Sequence, residues 1–292
     1  MKKYHIPKEQ FSYTFDPTTT PVLRVAPPCV IDFETDDLGY RRLFQGETIQ
    51  DIGSQNLNMV TGPVYIEGAE VGDAIKIDVL KIQIKSAWSV WVPGFGALGN
   101  FTTEQQIHPI HLENGYARIS DALRVKVEPM IGCIGLAPAI GSSSTISPTF
   151  AWGGNMDLRE LSPHASIYLP VQTPGGLLSV GDLHAAMGSG EPTWISLESA
   201  GVASLQISLE KHLELKSPRL RVGTETLILG QGKSYPEAIQ SAYDQVFEHL
   251  IHQCGLLPFD AYAYASARVG LRFAGPAGYN VLAVIPDFDE KL

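Results

Sequence analysis

The segment GDAIKIDVLKIQI, residues 72–84, alternates apolar and polar side chains. Successive side chains of a β-strand point to opposite faces. An extended chain here places Ile75, Ile77 and Val79 on one face, and Lys76 and Asp78 on the other. The alternation therefore predicts a strand with one buried face and one solvated face.

Neighbouring parts of the chain repeat this pattern. Runs rich in Val and Ile, separated by Pro and Gly turns, occupy residues 21–35, 117–138, 164–186 and 201–232. Many short strands at close spacing are typical of sandwiches and barrels. We expect a mainly β fold, a β-sandwich or barrel-like layers of short strands, with a helical element near the C-terminus.

A helix is predicted at SYPEAIQSAYDQVFEHLIHQCG, residues 234–255. Ser234 is a suitable N-cap, and Pro236 and Glu237 stand in the first turn. Gly255 marks the end. The apolar residues at helical spacing are Ile239, Ala242, Val246 and Leu250.

A shorter helix is predicted at LPFDAYAYASARVG, residues 257–270, with Ala261, Ala263 and Ala265 against the sheets. No linker, charge block or internal repeat divides the sequence. We expect one domain over residues 1–292, β-rich to about residue 230 and helical over about 235–268.

Composition excludes several classes of partner. The 292 residues carry a formal net charge of −10, whereas nucleic acids and anionic membranes bind a concentrated basic face. No apolar run reaches the roughly 18 residues of a membrane-spanning helix. The first residues, MKKYHIPKEQ, lack the apolar run of a secretory signal. We expect no nucleic-acid partner and no membrane partner.

The cysteines are Cys29, Cys133 and Cys254, an odd number with wide spacing and no C-x-x-C pair. This usage does not favour a disulfide framework or a cysteine-rich zinc site. A reducing cytoplasm is the expected compartment.

The stretch SVGDLHAAMGSGE, residues 179–191, contains two carboxylates and a histidine. On a strand, Asp182 and His184 point to the same side, and Gly188 and Gly190 allow the chain to return so that Glu191 approaches them. Histidine with carboxylates is the ligand set of zinc or another divalent metal. The alternative is a polar turn with a surface histidine.

A second cluster lies in FAWGGNMDLRELS, residues 150–162. Gly153 and Gly154 allow close approach of the backbone, whose N–H groups can bind a developing oxyanion. Asn155 and Asp157 follow at a spacing of two. Taken alone, this stretch is better explained as an ordinary turn capped by Asn or Asp.

Two further segments are candidates for the same site. CVIDFETDDLGY, residues 29–40, carries four carboxylates that need a nearby cation or a solvated strand end. SVWVPGFGALGN, residues 89–100, places Trp91 and Phe95 among glycines, as in an aromatic loop over a pocket or a buried turn. The sequence has no H-E-x-x-H motif, no Walker loop and no G-x-S-x-G elbow.

Five blocks of the sequence occur in the same order in the acetamidase/formamidase family, which the chain resembles over nearly its whole length. GGNMD and GDLHAAMGSGE are specific together, whereas either alone is a weak signal. The blocks are TGPVYIEGAEVGDAIKIDVLKI (61–82), PGFGALG (93–99), GGNMD (153–157), LPVQTPGGLLSVGDLHAAMGSGE (169–191) and DAYAYASARVGLRFA (260–274).

The resemblance implies a cytoplasmic amidohydrolase that splits a short-chain amide, acetamide or formamide, into a carboxylate and ammonia. It also implies a homodimer or higher homo-oligomer and a divalent metal at the acidic site. Asp37 is carried over loosely, because Asp36 can equally be the matching residue. The motif residues carried over are Asp157, Asp182, His184 and Glu191.

The resulting hypothesis places zinc, or calcium as the alternative, on Asp157, Asp182 and His184. Glu191 acts as general base and then as general acid, and Asp37 is also assigned to catalysis. Two rival functions remain: a calcium-holding protein that binds a small molecule without catalysis, and a hydrolase of another C–N bond. Substrate contacts are assigned to Gly153, Gly154, Asn155, Trp91 and Phe95, with Trp152 as a further wall.

Overall fold

The strand predicted at residues 72–84 is present as β7, Ala74–Ile84, where strands and helices are numbered in chain order. The structure is a computed structural model that describes residues 1–146 and 150–290. Ile75, Ile77 and Val79 are buried, whereas Lys76 and Asp78 are only partly buried. The predicted alternation is confirmed.

One nine-stranded sheet of the described residues contains β7. Its spatial order is β1-β5-β19-β7-β16-β20-β21-β23-β22. All pairs are antiparallel except β1 with β5. Its strands are β1 Lys2–Ile6, β5 Cys29–Thr35, β7 Ala74–Ile84, β16 Ser166–Pro170, β19 Gly201–Glu210, β20 Arg219–Val222, β21 Glu225–Gly232, β22 Gly270–Phe273 and β23 Tyr279–Pro286.

A second nine-stranded sheet carries the residues of the candidate site. Its main path is β15-β13-β17-β18-β8-β9, and β6 pairs with β17, β2 and β4. Its strands are β2 Phe11–Ser12, β4 Leu23–Val25, β6 Val60–Ile66, β8 Trp88–Trp91, β9 Gln106–Pro109, β13 Met130–Gly135, β15 Gly153–Asn155, β17 Leu178–His184 and β18 Glu198–Ser199.

Smaller elements complete the described chain. Two minor sheets join β10-β11-β12 and β3-β14. Their strands are β3 Thr14–Phe15, β10 His111–Glu113, β11 Tyr116–Arg118, β12 Arg124–Lys126 and β14 Ser143–Ser144. The helices are α1 Leu38–Phe44, α2 Ile49–Ile52, α3 Tyr235–His252 and α4 Pro258–Arg268, with 3-10 turns at Ser54–Asn56 and Gly99–Phe101.

The two large sheets pack face to face over one apolar core, as a β-sandwich does. Each buried Ile, Leu or Val side chain stabilises the fold by about 1.5–3 kcal/mol relative to exposure. The core joins Ile31, Phe33, Ile75, Ile77 and Leu205 of the first sheet to Val64, Ile131, Ile134, Leu178 and Val180 of the second. The predicted mainly β architecture is confirmed.

Helix α3 covers the β21–β23 end of the first sheet. Ser234 is its N-cap and accepts a hydrogen bond from the Glu237 backbone N–H, as predicted. Its buried stripe is Ala238, Ala242, Val246 and Leu250, so Ile239 lies at the edge of the buried face rather than in it.

Helix α4 differs from the sequence expectation. Ala261 is buried and Ala265 half-buried, but Ala263 is exposed. A spacing of two residues turns the side chain through about 200° on a helix, so three alternate alanines cannot share one face. Strands β22 and β23 follow the helix and return the chain to the first sheet, which the sequence reading did not anticipate.

Among the described residues, no helix combines the length and apolar character needed to span a membrane. Cys29 and Cys133 are buried, Cys254 is half-buried, and all three are free thiols. Burial raises the pKa of the Cys133 thiol well above its ordinary value, as expected for a structural cysteine.

The turn after β5 is held by an ion-pair cluster on Asp36. Its carboxylate accepts from Arg41 at 2.5 Å and from the Asp37 backbone N–H at 2.8 Å, and Lys8 lies at 3.1 Å. Burial raises the pKa of Asp36, but the bonds from Arg41 and Lys8 outweigh it and lower this pKa to about 2. The folded state therefore favours the ionised carboxylate.

We predict that Asp36→Asn lowers the free energy of unfolding by about 1 kcal/mol at pH 7, after allowance for solvent screening. Because the folded pKa lies below the unfolded value, this contribution is present above about pH 4. It is lost as the pH falls toward about 2. Urea unfolding at a series of pH values measures the difference.

Glu47→Gln is the matched control, because Glu47 forms an ion pair with Arg42 at a more exposed position. Its effect should be small at every pH, since exposed pairs contribute little. A difference between wild type and Asp36→Asn that stays constant from pH 7 to pH 2 would contradict the prediction.

Candidate functional site

A cavity of about 330 Å³ opens beside the end of β17. Its polar walls are carboxylates, a histidine, amides and a phenol, and most of its other walls are apolar. The polar lining residues include Tyr40, Asn58, Asn155, Asp157, Asp182, His184, Glu191 and Glu198. The apolar lining residues include Leu57, Phe95, Ile146, Trp194 and Ile195.

The second sheet brings the ionisable residues together. His184 ends β17 and pairs with Met130 of β13 on one side and with Glu198 of β18 on the other. Asp157 follows β15, and its backbone N–H donates to the Gly132 carbonyl of β13 at 3.1 Å. Four strands of one sheet therefore position residues that are far apart in sequence.

Four carboxylates surround the imidazole of His184. Nε2 lies 3.5 Å from Asp182 Oδ1, 3.5 Å from Glu198 Oε2 and 4.0 Å from Asp157 Oδ1. Nδ1 lies 3.9 Å from Glu191 Oε1. Each of these side chains is at most 4% exposed. The two ring nitrogens thus face different acids.

No lysine or arginine is among the described residues that line this cavity. Burial raises the pKa of Asp157 well above its ordinary value, and Glu191 and Asp182 raise it further. Burial also raises the pKa of Glu191 to about 7 and that of Glu198 to about 8, although His184 lowers both. The carboxylates repel one another because their negative charges lack an adequate counter-charge.

Burial and the neighbouring carboxylates act on the pKa of His184 in opposite directions. Burial disfavours its charged form, but the carboxylates of Glu198 and Asp182 outweigh burial and raise the pKa of His184 well above its ordinary value. One imidazolium cannot compensate four ionised acids. The acids must therefore either take up protons, as the raised pKa values of Asp157, Glu191 and Glu198 indicate, or share a cation.

The cluster fits a divalent cation. Asp157 Oδ1 and His184 Nδ1 are buried and have no hydrogen-bond partner among the described residues, whereas nearly all buried polar atoms in folded proteins have one. Two groups of three residues could each hold a metal, because the ligand atoms within a group lie within 4.8 Å of one another. The groups are Asp157, His184 and Glu191, and Asp182, His184 and Glu198. Imidazole nitrogen with carboxylate oxygens is a donor set that zinc accepts.

The backbone is strained where it presents these acids. Asp157, Asp182 and Glu191 have φ values of 44°, 56° and 39°, in the left-handed region that most residues avoid. A Cβ at Gly132 would lie 2.7 Å from both Asp157 Oδ1 and Asp182 Oδ2, so this position has no room for a side chain. Such strain is typical of functional sites held by a rigid scaffold.

Neither Asp36 nor Asp37 is one of the described residues that line the cavity. The Asp37 carboxylate accepts hydrogen bonds from Ser86 Oγ and Trp88 Nε1, each at 2.6 Å, and pairs with Arg41. Trp88 is the register partner of Glu198. Asp37 therefore supports the strand beside Glu198 from outside the cavity.

The predicted substrate residues divide into two groups. Asn155 and Phe95 line the cavity, but Trp91 is an exposed residue of β8 that does not. Gly153 and Gly154 form β15, and the Gly153 N–H donates to the Phe150 carbonyl at 3.0 Å. That N–H is used within the fold, so it is not available to an oxyanion.

Sequence reasoning missed Glu198, Tyr40 and Asn58. A signal existed for Glu198, which is the single charged residue between positions 192 and 209. A lone carboxylate in an uncharged stretch just before a predicted run of strands is costly to bury unless it is paired or functional. Asn58 Nδ2 donates to Asp182 Oδ2 at 3.0 Å, and nothing in the local sequence predicted that contact.

The fold and the site together define a β-sandwich protein with a buried carboxylate–histidine cluster in the wall of a small cavity. The profile of the Acetamidase/Formamidase family matches residues 2–142 and 139–255. The chain belongs to the acetamidase/formamidase family.

Solved structures of similar proteins agree with this assignment. A predicted acetamidase/formamidase from Thermoanaerobacter tengcongensis is 27% identical, with a TM-score of 0.90 over 98% of this chain and 96% of that one. Acetamidase from Bacillus halodurans is 27% identical, with a TM-score of 0.88 over 97% of each chain.

A formamidase from Methylophilus methylotrophus is 22% identical over 225 residues, 56% of this chain. The chain spans about half or less of the curated relatives that it matches, 54% of this formamidase and 17% of a Schizosaccharomyces pombe relative.

We predict that zinc stabilises the protein after treatment with EDTA. A ligand that binds only the folded state at a hundredfold excess over Kd adds about 2.7 kcal/mol, which raises Tm by roughly 5 °C for a chain of this size. Differential scanning fluorimetry with and without zinc measures the shift.

His184→Ala should remove this stabilisation, because His184 supplies the nitrogen ligand in both sets of candidate ligands. His111→Ala, at an exposed histidine, should retain it. Equal zinc shifts in the two variants would show that the metal binds elsewhere.

Proposed function

We propose that the chain is a metal-dependent amidohydrolase that cleaves a short-chain aliphatic amide, acetamide or formamide, to a carboxylate and ammonia. The observation that carries the proposal is His184 buried among four carboxylates without a basic partner in the described cavity lining. Membership of the acetamidase/formamidase family supports the choice of reaction.

The proposed ligands are His184, Asp157 and Asp182, to which the geometry adds Glu198. The Nε2 atom of His184 faces the acids of all three other residues. A nitrogen ligand favours zinc over calcium, which prefers a shell made of oxygen. When bound, the metal supplies Lewis acidity, which lowers the pKa of water and polarises an amide carbonyl.

Glu191 is proposed as the general base. It faces Nδ1 of His184, on the opposite edge of the ring from the other three acids. A carboxylate oxygen of Glu191 takes a proton from the attacking water and then delivers it to the leaving nitrogen. Asp37 does not line the cavity, so its proposed contribution is to position Trp88, to which it is hydrogen-bonded.

The remaining lining residues bind and orient the amide. Phe95 and Trp194 form an edge-to-face pair with ring centroids 5.7 Å apart, and both line the cavity. With Leu57 they offer an apolar surface to the acyl group. Asn155 offers an amide group to the polar end of the substrate. Asn58 holds Asp182 through its 3.0 Å hydrogen bond.

We also propose one domain over residues 1–292 that acts as a homodimer or higher homo-oligomer in the cytoplasm. One apolar core includes residues from Ile6 to Val284. The edge strand β22 exposes 67% of Phe273, which packs against Tyr235. An exposed apolar edge of this kind is typical of a protein interface. The free thiols are consistent with a reducing compartment.

A panel of small amides with an ammonia assay tests the function. We predict release of ammonia from acetamide or formamide, loss of release after treatment with EDTA, and recovery with zinc. Calcium as the only bound metal, together with no ammonia from any amide, would favour a binding protein without catalysis. Ammonia from cyclic amides alone would assign a different C–N bond.

Substitutions at Glu191 and Glu198 should distinguish the general base from a metal ligand. Glu191→Gln should retain bound zinc and lower kcat by about 10²- to 10⁴-fold, because it removes proton transfer. Glu198→Gln should weaken zinc binding by about tenfold or more. Metal content by mass spectrometry and kcat by the ammonia assay measure the two effects.

Glu9→Gln is the control for a change of charge, since Glu9 is exposed, and it should alter neither quantity. If Glu191→Gln loses zinc while Glu198→Gln retains it, the two assignments must be exchanged.

A further inference from the structure

A second cavity, of about 480 Å³, lies between the segment that precedes β20 and the C-terminal half of α3. It shares no lining residue with the acidic cavity within the described chain. Arg219 and His249 line it, together with Gln253. These residues play no part in the proposed amide hydrolysis.

Arg219 is a buried cation without a buried anion. Its side chain belongs to β20 and is 7% exposed. No carboxylate of the described residues lies within ion-pair distance of its guanidinium. It instead lies over the Tyr168 ring, 5.3 Å from the centroid. A buried charge normally has a partner, because desolvation is costly.

Some N–H groups of the Arg219 guanidinium have no hydrogen-bond partner among the described residues. Its Nη1 atom contacts His249 Nδ1 at 3.1 Å and donates to Gln253 Oε1. Its Nε and Nη2 atoms make no hydrogen bond to a described residue, and neither is sealed from solvent. A guanidinium has five N–H groups in a fixed fork. Because Arg219 lines the cavity, this unpaired part of the fork is the part left for a ligand.

The other charged groups of the cavity do not neutralise Arg219. Lys216 and Glu248 form an ion pair with each other at 2.5 Å. Glu214 is exposed and forms no ion pair with Arg219. Burial and the charge of Arg219 lower the pKa of His249 to about 4, so its imidazole is neutral at pH 7 and accepts at Nδ1. Glu210 acts on Arg219 through space but forms no ion pair with it, so no carboxylate of the described residues contacts the guanidinium.

We propose that this cavity is a binding site for a small monocarboxylate, held by the guanidinium of Arg219. A single carboxylate supplies the contacting anion that the guanidinium lacks among the described residues. The two coplanar oxygens of a carboxylate match the parallel N–H groups of a guanidinium. Ser217 and Gln245 also line the cavity, but they bond to each other and to the Leu229 carbonyl, so Arg219 carries the recognition.

Isothermal titration calorimetry of the full chain with sodium propionate tests the proposal. The protein is first treated with EDTA, so that the carboxylates of the acidic cavity repel an added anion. Ionic strength is held constant with sodium chloride, and sodium phosphate is titrated separately. We expect one propionate per chain with a Kd of the order of millimolar.

Arg219→Met should weaken propionate binding at least about tenfold, because it removes the charge and the fork. Arg221→Met is the matched control: Arg221 lies two residues further on β20, and Asp287 already pairs with it at 2.5 Å. Its affinity should stay within about twofold of the wild type. If Arg219→Met fails to fold, Arg219→Lys keeps the charge without the fork and should bind about three- to tenfold more weakly.

Several results would overturn the assignment: no propionate binding by the wild type, equal binding by Arg219→Met, or binding of phosphate in preference to propionate. The titration does not depend on turnover. A chain that hydrolyses no amide can still bind propionate at Arg219, and an active amidase can fail to bind it, so the two proposals are tested separately.

Discussion

Crowding of negative charge around His184 is the constraint on which the rest of the site depends. Four buried carboxylates repel one another, and folding must hold them together against that repulsion. The apolar core between the two sheets supplies the opposing free energy. Because β13, β17 and β18 are neighbours in one sheet, the acids cannot move apart without disrupting strand pairing. Strand pairing within the sandwich therefore holds the four acids close to His184.

The same constraint explains the local backbone. Left-handed φ values at Asp157, Asp182 and Glu191 turn these carboxylates toward His184. An ordinary extended strand directs alternate side chains to one face but does not make them converge on a point. Gly132 completes the arrangement, since any side chain there meets Asp157 and Asp182. The local backbone strain at these three acids therefore lowers stability, and the apolar core around them offsets that loss.

Local patterns could predict the elements but only part of the site. Period-two alternation predicted β7, and the Ser234 cap predicted α3, because both depend on residues close in sequence. The return of β23 to the first sheet depends on its pairing with β21, about 50 residues earlier, and the position of Glu198 depends also on the pairing of β18 with β8 at Trp88. No local pattern specifies that pairing. Asp37 lies in an acidic segment that suggested a site residue. Its carboxylate instead accepts hydrogen bonds from Ser86 and Trp88 and forms an ion pair with Arg41.

Asp73 shows what distinguishes a functional buried charge from a structural one. This carboxylate is as buried as Asp157, but Lys211 Nζ lies at 2.6 Å and the backbone N–H groups of His212 and Glu70 donate to it. Burial raises its pKa, but these partners outweigh burial and lower it. Asp157 has no such partners, and its pKa is raised. Arg219 is the positive counterpart, buried without an acid. Where the fold satisfies a buried charge, the charge stabilises the fold. Where no described residue satisfies it, as at Asp157 and Arg219, we propose that a ligand is the missing partner.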